Sequence, residues 1–461
     1  MMLKQALLPM LVAATLSACA AVGPDYQRPQ LDMPQAAANV APVAGDWWRS
    51  FGDPVLDAMI DESLRYNRDL VQAAARVEEA AAAAGVARAG LLPQVSASAG
   101  SGRSQTSAYS SGGGALVDSR QAGLTASWEL DLWGKLRRER EAALADVSAS
   151  ERSLAALRLS LGSQVAKSYF QLASYDAQLA SARATLQSRE ESLQLRRKRF
   201  NGGMTSELEL RQAEAEAASA RATVPQLAQA VTQTEHALAV LLGRSPRDIA
   251  ANLGRGKTLS ALAEPEQIPS GLPSDLLLRR ADVAAAEASL VAANARIGVA
   301  RAAYFPSISL SAGIGSASTA LTDLFSGPAQ TWNFAANLAA PIFNAGRIAA
   351  GVDAANARQK QALAVYEKTV QQAFADTLDA MSAVSTTRDT EQAQLQQLAS
   401  LREALRLARL RYDNGYSSYL DVLDAERGVF QVEQALSSAR LARLSAVVSL
   451  YAALGGGWQG S

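Results

Sequence analysis

The sequence is poor in the residue types that most catalytic and metal sites require. Its 461 residues include one cysteine, Cys19, and one histidine, His236. A metal cluster of Cys and His ligands is therefore excluded, and so is a nucleophile activated by histidine. Carboxylates are the remaining route to catalysis. Because no positioned set of acid, base and nucleophile is visible, we expect no enzymatic activity, no cofactor and no metal.

An excess of one charge and long apolar runs are missing as well. The 44 Lys and Arg residues balance the 44 Asp and Glu residues, so nothing favours nucleic acid as a partner. Beyond the N-terminus, no segment offers about 20 uninterrupted apolar residues, the length that a membrane-spanning helix needs. We therefore expect no transmembrane helix in the mature chain.

The single cysteine is explained by its position. Lys4 supplies a positive start, Ala6 to Leu16 form an apolar stretch too short to span a bilayer, and small residues precede Cys19. This pattern predicts a lipoprotein signal peptide over residues 1–18, which leaves Cys19 as a lipidated N-terminus held in outer-membrane lipid. An ordinary secretory signal followed by a stray cysteine is the alternative. Residues 19–45, which are rich in Pro and Ala, are predicted to form an extended tether. Trp47, Trp48 and Phe51 are predicted to pack as an aromatic clasp where the tether joins the folded body, and an aromatic platform for a ligand is the alternative.

The chain repeats itself. The stretch GVARAGLLPQVSASAG, Gly85 to Gly100, returns as GVARAAYFPSISLSAG, Gly298 to Gly313, with 10 of 16 positions identical. RFNGGMTSELEL, which starts at Arg199, aligns in the same way with RYDNGYSSYLDV, which starts at Arg411. Offsets of 213 and 212 residues indicate a tandem duplication. The predicted organisation is a first repeat over 46–243, a linker over 244–274, a second repeat over 275–456 and a tail over 457–461.

Each repeat is predicted to contain a very long helical hairpin. Residues 135–200 hold no proline and one glycine, and residues 347–412 are alike, with only Gly351 interrupting. A helix of this extent would be roughly 100 Å long. Returning helices over 206–242 and 418–454 would complete the hairpins, and Pro225 should kink or break the first of them.

Alternating patterns predict two strands in each repeat. In LTASWELDLW, residues 124–133, apolar side chains occupy one face, whereas the other carries Thr125, Ser127, Glu129 and Asp131. SISLSAGIG, residues 307–315, and WNFAANLAAPIF, residues 332–343, alternate in the same way, and residues 102–120 and 316–330 are predicted to be loops. Strands of about ten residues can cross a bilayer when tilted. Glu129 and Asp131 are therefore predicted to face a pore.

The predicted fold class is α+β, with four strands in each chain continued by long coiled-coil hairpins. Four strands cannot close, and unpaired edge N–H and C=O groups are costly in lipid. The smallest membrane barrels have about eight strands. The chain is therefore predicted to share its barrel with identical copies. Two copies would give a narrow pore and three a twelve-stranded barrel, with the helices forming a hollow cylinder below.

Several motifs resemble a known family. They are CAAVGPDYQRP, WWRSFGDPVLD, SWELDLWGKLRRE, LPSDLLLRRADVAAAEASL, PIFNAGR and RYDNGYSSYLDVLDAE. Over the whole mature chain, the sequence resembles the outer-membrane efflux proteins of the TolC superfamily, most of all the lipid-anchored OprM and NodT branch of resistance-nodulation-division tripartite exporters. The resemblance implies a homotrimer with a twelve-stranded barrel in the outer membrane and an α-helical periplasmic tunnel. One departure is Ala281, where the family usually has proline.

The same resemblance implies the partners and the activity. A periplasmic adaptor and an inner-membrane pump would deliver drugs or other small molecules to this passive exit duct. Alternatives are an exit duct for type I protein secretion or metal efflux, and a non-conducting, lipid-anchored coiled-coil spacer. The spacer would not explain the alternating strands.

A pair of aspartates matches the family's periplasmic gate. Asp421 and Asp424 lie one helical turn apart just after Gly415. Three copies would gather these carboxylates around a narrow axis, which favours cations and opposes closure. Tyr412 matches a tyrosine that ties the tip shut, and Arg411 and Ser417 lie beside it. Carboxylates that only decorate a solvated helix face are the alternative.

The first repeat lacks this pair and carries Glu209 and Gln212 at the equivalent positions. The second hairpin is therefore predicted to line the aperture, with the first outside it. Both turns are predicted to dock the adaptor. Their residues are Asn201, Gly202, Gly203, Met204, Thr205 and Ser206 in the first repeat, and Asn414, Gly415, Tyr416 and Ser418 in the second.

Overall fold

The structure is a computed structural model that describes residues 21–32, 45–109, 111, 113–249, 251, 253–262, 265 and 280–456. The predicted signal peptide, Cys19, the C-terminal tail and most of the second half of the linker lie outside the described residues. The chain divides into two compact units. Unit 1 comprises residues 1–31, 75–151 and 285–367, and unit 2 comprises residues 32–74, 152–284 and 368–461.

Helices dominate the described chain. They are α1 (Pro54–Tyr66), α2 (Arg68–Ala89), α3 (Lys135–Asn201), α4 (Glu207–Leu241), α5 (Pro246–Ile249), α6 (Ala281–Ala302), α7 (Arg347–Asp413) and α8 (Tyr419–Ala453). The strands are β1 (Gln94–Gln105), β2 (Leu116–Leu130), β3 (Ser307–Ser318) and β4 (Gln330–Ala339). Short 3-10 turns occupy Trp47–Phe51, Leu321–Asp323 and Gly327–Ala329.

The predicted duplication is confirmed by the lengths of the equivalent elements. Helices α3 and α7 each have 67 residues, and the returning helices α4 and α8 each have 35. Helices α2 and α6 each have 22 residues, and strands β1 and β3 each have 12. Two copies of one helix, strand-pair and hairpin plan therefore build the chain.

The predicted strand bounds were wrong in two ways. Residues 102–105 and 116–120, predicted as loop, belong to β1 and β2, because the two strands pair as far as Gln105 and Leu116. Residues 316–318 and 330, also predicted as loop, belong to β3 and β4 for the same reason. Strand β2 ends at Leu130 and β4 at Ala339, so Asp131 and Ile342 lie beyond the strands. Pro225 lies inside α4, which continues to Leu241, so the predicted alternatives of a kink or a break are reduced to the kink.

The four strands form one antiparallel sheet in the order β1-β2-β3-β4, entirely within unit 1. Two rows of paired residues across the sheet lie on the same face. One row is Ala97, Leu124, Ile314 and Trp332, and the other is Val95, Ala126, Ala312 and Phe334. The row between them, on the opposite face, is Ser96, Thr125, Gly313 and Asn333. The predicted alternation is thus confirmed, and it gives the sheet one apolar face and one face of small and polar residues.

The apolar face of the sheet is exposed. Trp332 is 81% exposed and Phe334 67%, and Val95, Ile314 and Leu338 are also exposed. A contiguous exposed apolar surface of this kind marks contact with a membrane or another protein.

The start of the predicted tether is docked on unit 1. Glu287 of α6 accepts hydrogen bonds from Nε of Arg28 at 2.7 Å and from the hydroxyl of Tyr26 at 3.1 Å. Arg138 of α3 donates to Asp25 at 2.6 Å. The backbone N–H of Val22 donates to the carbonyl of Trp133 at 2.9 Å. Residues 21–28 are therefore held between the first turns of α3 and the middle of α6.

Helix α6 is long and apolar enough to span a membrane, the one such helix found in the described part of the chain. Its 18-residue window has a mean hydropathy of 1.3, but 56% of that window is buried. Glu287 and Asn294 both bond to the docked N-terminal segment. Burial and these polar contacts identify α6 as a core helix.

The main core of unit 2 forms around the predicted aromatic clasp. Trp47 and Phe51 are buried, the Trp47 ring stacks on Tyr451 at 5.7 Å, and the Phe51 ring lies 5.0 Å from Phe170. These contacts join the segment before α1 to α3 and α8. The clasp expected from the sequence is therefore present.

Asp53 connects three segments of unit 2. Its carboxylate accepts hydrogen bonds from the hydroxyl of Tyr169 at 2.6 Å and from the backbone N–H groups of Lys257 at 2.9 Å and Val55 at 3.0 Å. A Cβ on Gly256 would lie 2.4 Å from the carboxylate, so glycine is required at this close approach. Burial by itself would raise the pKa of Asp53, but these hydrogen bonds hold it below its usual value.

The stability of unit 2 should depend on pH through Asp53. A carboxyl whose native pKa is lowered stabilises the fold above its unfolded pKa of about 3.9, and this contribution is lost as the pH falls through the native pKa. Asp53→Asn should therefore lower the unfolding free energy at neutral pH by about 1–3 kcal/mol and weaken the acid dependence. Thermal melts of detergent-solubilised protein in neutral and acidic buffers measure both effects. Asp389→Asn, at an exposed position, is the control, and equal melts for the two variants would contradict the expectation.

Candidate functional site

The two predicted docking turns have the same backbone design. Helix α3 ends at Asn201 and α7 at Asp413, and Gly203 and Gly415 follow with φ of 71° and 78°. That left-handed conformation favours glycine and lets the chain reverse. The next helices start after Ser206 and Ser418. Met204 and Tyr416, at the tips of the turns, are exposed.

Next to the turns, four residues from four helices form what we call the tip latch: Arg196 of α3, Glu209 of α4, Tyr412 of α7 and Tyr419 of α8. The Tyr412 hydroxyl accepts a hydrogen bond from Arg196 and donates one to Glu209 at 3.2 Å. The Arg196 guanidinium also lies over the Tyr412 and Tyr419 rings, at 4.6 and 4.1 Å from their centroids. The latch therefore joins the hairpin of the first repeat to that of the second.

Burial strengthens the tip latch. The Arg196 side chain is only 7% exposed, and cation–π contacts are stronger when the cation is withdrawn from water. Burial raises the pKa of Tyr412, and neighbouring Glu209 raises it further, against the opposing charge of Arg196. The phenol therefore keeps its proton at neutral pH and can donate to Glu209.

Further along the same helices, a second set of charges joins the hairpins. The Arg189 guanidinium of α3 lies 3.3 Å from Glu216 of α4 and 3.0 Å from Glu426 of α8. Arg427 of α8 donates to Glu216 through Nε at 2.7 Å and also pairs with Asp424 at 3.0 Å. We call these five residues the charge cluster. One arginine therefore links a predicted gate aspartate to the other hairpin.

The other predicted gate residues differ in exposure and in hydrogen bonding. Asp421 and Asp424 occupy the first two turns of α8, as predicted, and both are exposed. Arg411 is also exposed, and its carbonyl accepts from the N–H of Tyr416 at 2.8 Å. The Ser417 hydroxyl is buried with no hydrogen-bond partner among the described residues. Neither Arg411 nor Ser417 contacts Tyr412 through its side chain in the described tip.

The two carboxylates predicted to face the pore differ in their position relative to strand β2. Glu129 lies in β2 on the small, polar face of the sheet and pairs with Lys135 at 3.3 Å. Asp131 follows the strand, and its carboxylate accepts from the N–H groups of Leu136 at 3.0 Å and Arg137 at 2.9 Å. It thus satisfies free N–H groups in the first turn of α3, so its placement in the strand was wrong.

Several residues of the tip escaped the sequence analysis. Arg196 belongs to a run of four basic residues in which no single member stood out, and Arg189, Glu216 and Arg427 resemble ordinary helix-surface charges. Glu209 was noticed only as the equivalent of Asp421. The one available signal was that equivalence, because a duplicated position that changes residue type often changes role.

Comparison with known proteins agrees with this geometry. The chain matches the family of outer membrane efflux proteins over residues 59–244 and 272–456. It is 39% identical to the cation efflux system protein CusC of Escherichia coli O6:H1, over 98% of this chain and 99% of CusC. It is 37% identical to the solvent efflux pump outer membrane protein SrpC of Pseudomonas putida, over 98% of both chains.

A solved structure shows the same fold. The crystal structure of the Campylobacter jejuni CmeC outer membrane channel superposes with a TM-score of 0.91 at 28% identity, covering 95% of this chain and 96% of CmeC. With the sequence match to both repeats, this similarity shows that the chain belongs to the outer membrane efflux protein family, whose members are outer-membrane channels of tripartite efflux pumps.

Proposed function

We propose that three copies of this protein form a lipid-anchored exit duct, closed at its periplasmic tip by the tip latch and the charge cluster. The observation that carries the proposal is the sheet, whose apolar face is exposed and whose outer strands β1 and β4 have no neighbour beyond them among the described residues. In hydrocarbon, such edges must be paired, and twelve strands from three chains can close a barrel.

The structure supports a gate at the tip in three ways. First, the tip latch and the charge cluster both connect the first hairpin to the second, so one hairpin cannot move away from the other without breaking buried contacts. Second, the carboxylates that would surround the axis, Asp421 and Asp424, are exposed. Third, Arg427 is shared between Asp424 and Glu216, so the charge at the aperture is coupled to a bond between the hairpins.

The partners of the duct follow from its two ends. The exposed turns at Asn201–Ser206 and Asn414–Ser418 are the proposed contacts for a periplasmic adaptor, which would bring an inner-membrane pump. Cys19 is the proposed lipidation site. Only Ala20 separates it in the sequence from the docked segment that starts at Ala21.

The proposed cargo is drugs or other small molecules handed on by the pump. Cation efflux is the second candidate, because CusC, named for cation efflux, is as similar to this chain as SrpC, named for solvent efflux. Growth of a deletion strain on organic solvents and on metal salts would separate the two classes of cargo.

The duct itself should be visible in purified protein. Detergent-extracted protein should run as a heat-stable trimer and open steps of ion conductance in planar lipid bilayers. A protein that stayed monomeric and produced no conductance would instead support a coiled-coil spacer.

Loss of the Tyr412 hydroxyl should loosen the tip. Tyr412→Phe keeps the ring but removes both the acceptor for Arg196 and the donor to Glu209, which together contribute about 1–3 kcal/mol. Amide hydrogen exchange in residues 201–206 and 414–418 should therefore accelerate by roughly tenfold or more. Tyr416→Phe, at an exposed turn position, is the matched control. Equal exchange rates in the two variants would exclude a latch at Tyr412.

Loss of the two aspartates should change ion selectivity without dissociating the trimer. Asp421→Ala together with Asp424→Ala removes the negative potential that would attract cations at the aperture. We expect a lower cation-to-anion permeability ratio and altered single-channel conductance in planar bilayers. Asp389→Ala, exposed on α7, is the control. Unchanged current in the double variant would count against an aperture at these residues.

A further inference from the structure

The two free edges of the sheet belong to strands that connect to particular helices. Helix α2 leads into β1, and α7 begins soon after β4. If β4 of one copy pairs with β1 of the next, α2 and the first turns of α7 are brought together at the junction between copies. The residues that would face each other on these two helices can be deduced from an equivalent junction of two helices within the chain.

That internal junction lies where β2 pairs with β3. Helix α3 begins after β2, and α6 leads into β3. Their arrangement within the chain is therefore equivalent to the arrangement of α7 and α2 between copies. Arg296 of α6 forms an ion pair with Asp146 of α3. The Cβ position of Gly298 lies 2.8 Å from Cγ of Arg138, which shows how closely α6 and α3 approach at this level.

The duplication assigns the equivalent residues at the open junction. Gly298 corresponds to Gly85 on α2, at an offset of 213 residues, and Asp146 corresponds to Arg358 on α7, at an offset of 212. Gly351 of α7 lies one residue beyond the equivalent of Arg138. The close approach of α6 to α3 within the chain therefore corresponds to an approach of α2 to α7 between copies, at Gly85 and Gly351.

These two glycines have no other explanation in the described chain. Each lies inside a helix, where glycine costs about 0.5–1 kcal/mol relative to alanine. No φ value requires glycine at either position, and a Cβ on Gly85 or Gly351 would meet nothing within 4 Å. A close approach by another helix is the usual reason for such a residue.

The charges beside the two glycines are complementary. Glu78 precedes Gly85 by seven residues and Arg358 follows Gly351 by seven, so each shares a helix face with its glycine, two turns further from the sheet. Both side chains belong to exposed residues, and neither takes part in an ion pair among the residues the structure describes. Asp146, the equivalent of Arg358, faces the neighbouring helix and is paired there.

We propose that α2 of one copy packs against the start of α7 of the next copy, with Gly85 opposite Gly351 and Glu78 paired with Arg358. The proposal rests on the proposed trimer and adds the contact that aligns its subunits just below the barrel. Opposite charges at this level set the register of the two helices, and the glycines set their separation.

Cysteine pairs test the separation. In a background where the lone natural cysteine is the lipidation site, Gly85→Cys with Gly351→Cys should give disulfide-linked dimers and trimers on non-reducing gels, since a disulfide requires Cα atoms about 4.4–6.8 Å apart. Gly85→Cys with Val365→Cys is the matched control, four turns further along the same face of α7, and should give none. Native electrophoresis of the same samples reports the trimer independently.

The outcomes separate this contact from the trimer itself. Crosslinking of the first pair alone supports the proposed contact. An intact trimer without crosslinks, or with equal crosslinks in both pairs, overturns the contact and leaves the duct standing. Absence of any trimer in the unsubstituted protein overturns the duct and the contact together.

Charge reversal tests the register without cysteines. Glu78→Arg or Arg358→Glu alone should reduce the fraction of detergent-resistant trimer several-fold, because like charges then meet at the junction. Glu78→Arg combined with Arg358→Glu should restore it. Glu79→Arg, on a different face of α2, should leave the trimer unchanged. Failure of the double variant to recover, with both single variants impaired, would overturn the pairing.

Discussion

Hydrogen bonding at the edges of one small sheet controls the organisation of this protein. Among the described residues, β2 and β3 satisfy their backbone groups on both sides, whereas β1 and β4 satisfy them on one side only. In water the remaining groups would bond to solvent, but beside an exposed face of Trp, Phe, Ile and Val they would meet hydrocarbon. The demand for partners therefore makes the oligomer part of the fold, because a single chain cannot complete its own barrel.

Because the duplication gives each chain two strand pairs, three chains are enough to supply twelve strands. Helices α2, α3 and α4 and strands β1 and β2 have counterparts in α6, α7, α8, β3 and β4, so the packing inside one chain indicates how neighbouring chains meet. The counterparts are not identical where function requires a difference. Glu209 of the first repeat holds Tyr412 in the tip latch, whereas its equivalent in the second repeat, Asp421, stays exposed at the proposed aperture.

In the proposed gate, a closed state has to coexist with exposed carboxylates. Repulsion between aspartates around an axis favours opening, and exposed ion pairs contribute little against it. The restraint instead comes from groups withdrawn from water: the Arg196 side chain over two aromatic rings, and the nearly buried Arg189 between two glutamates. Removing one partner from such a group leaves a buried charge uncompensated, which is costly. In the proposed gate, the resistance to opening would thus be concentrated in a few contacts between the two hairpins.

Much of this was accessible from the amino-acid sequence. The helix bounds, the alternating strands, the duplication and the aromatic clasp follow from local periodicity and from comparing one half of the chain with the other. Strand ends were less accurate, since pairing with a neighbour extended β1 and β2 into residues predicted as loop, and the Asp131 carboxylate caps the first turn of α3. Periodicity describes one segment at a time and contains no information about its partner.

The sequence by itself determined the secondary structure and the duplicated plan, because both depend on residues close together in the chain or on direct identity between segments. Only the tertiary structure decided which charged residues act together. Arg196 and Tyr412 are 216 positions apart, and Arg189 and Glu426 still further, so their contacts exist only once four helices lie side by side. Surface arginines and glutamates are common on long helices, and their meeting at the tip depends on packing that no local pattern encodes.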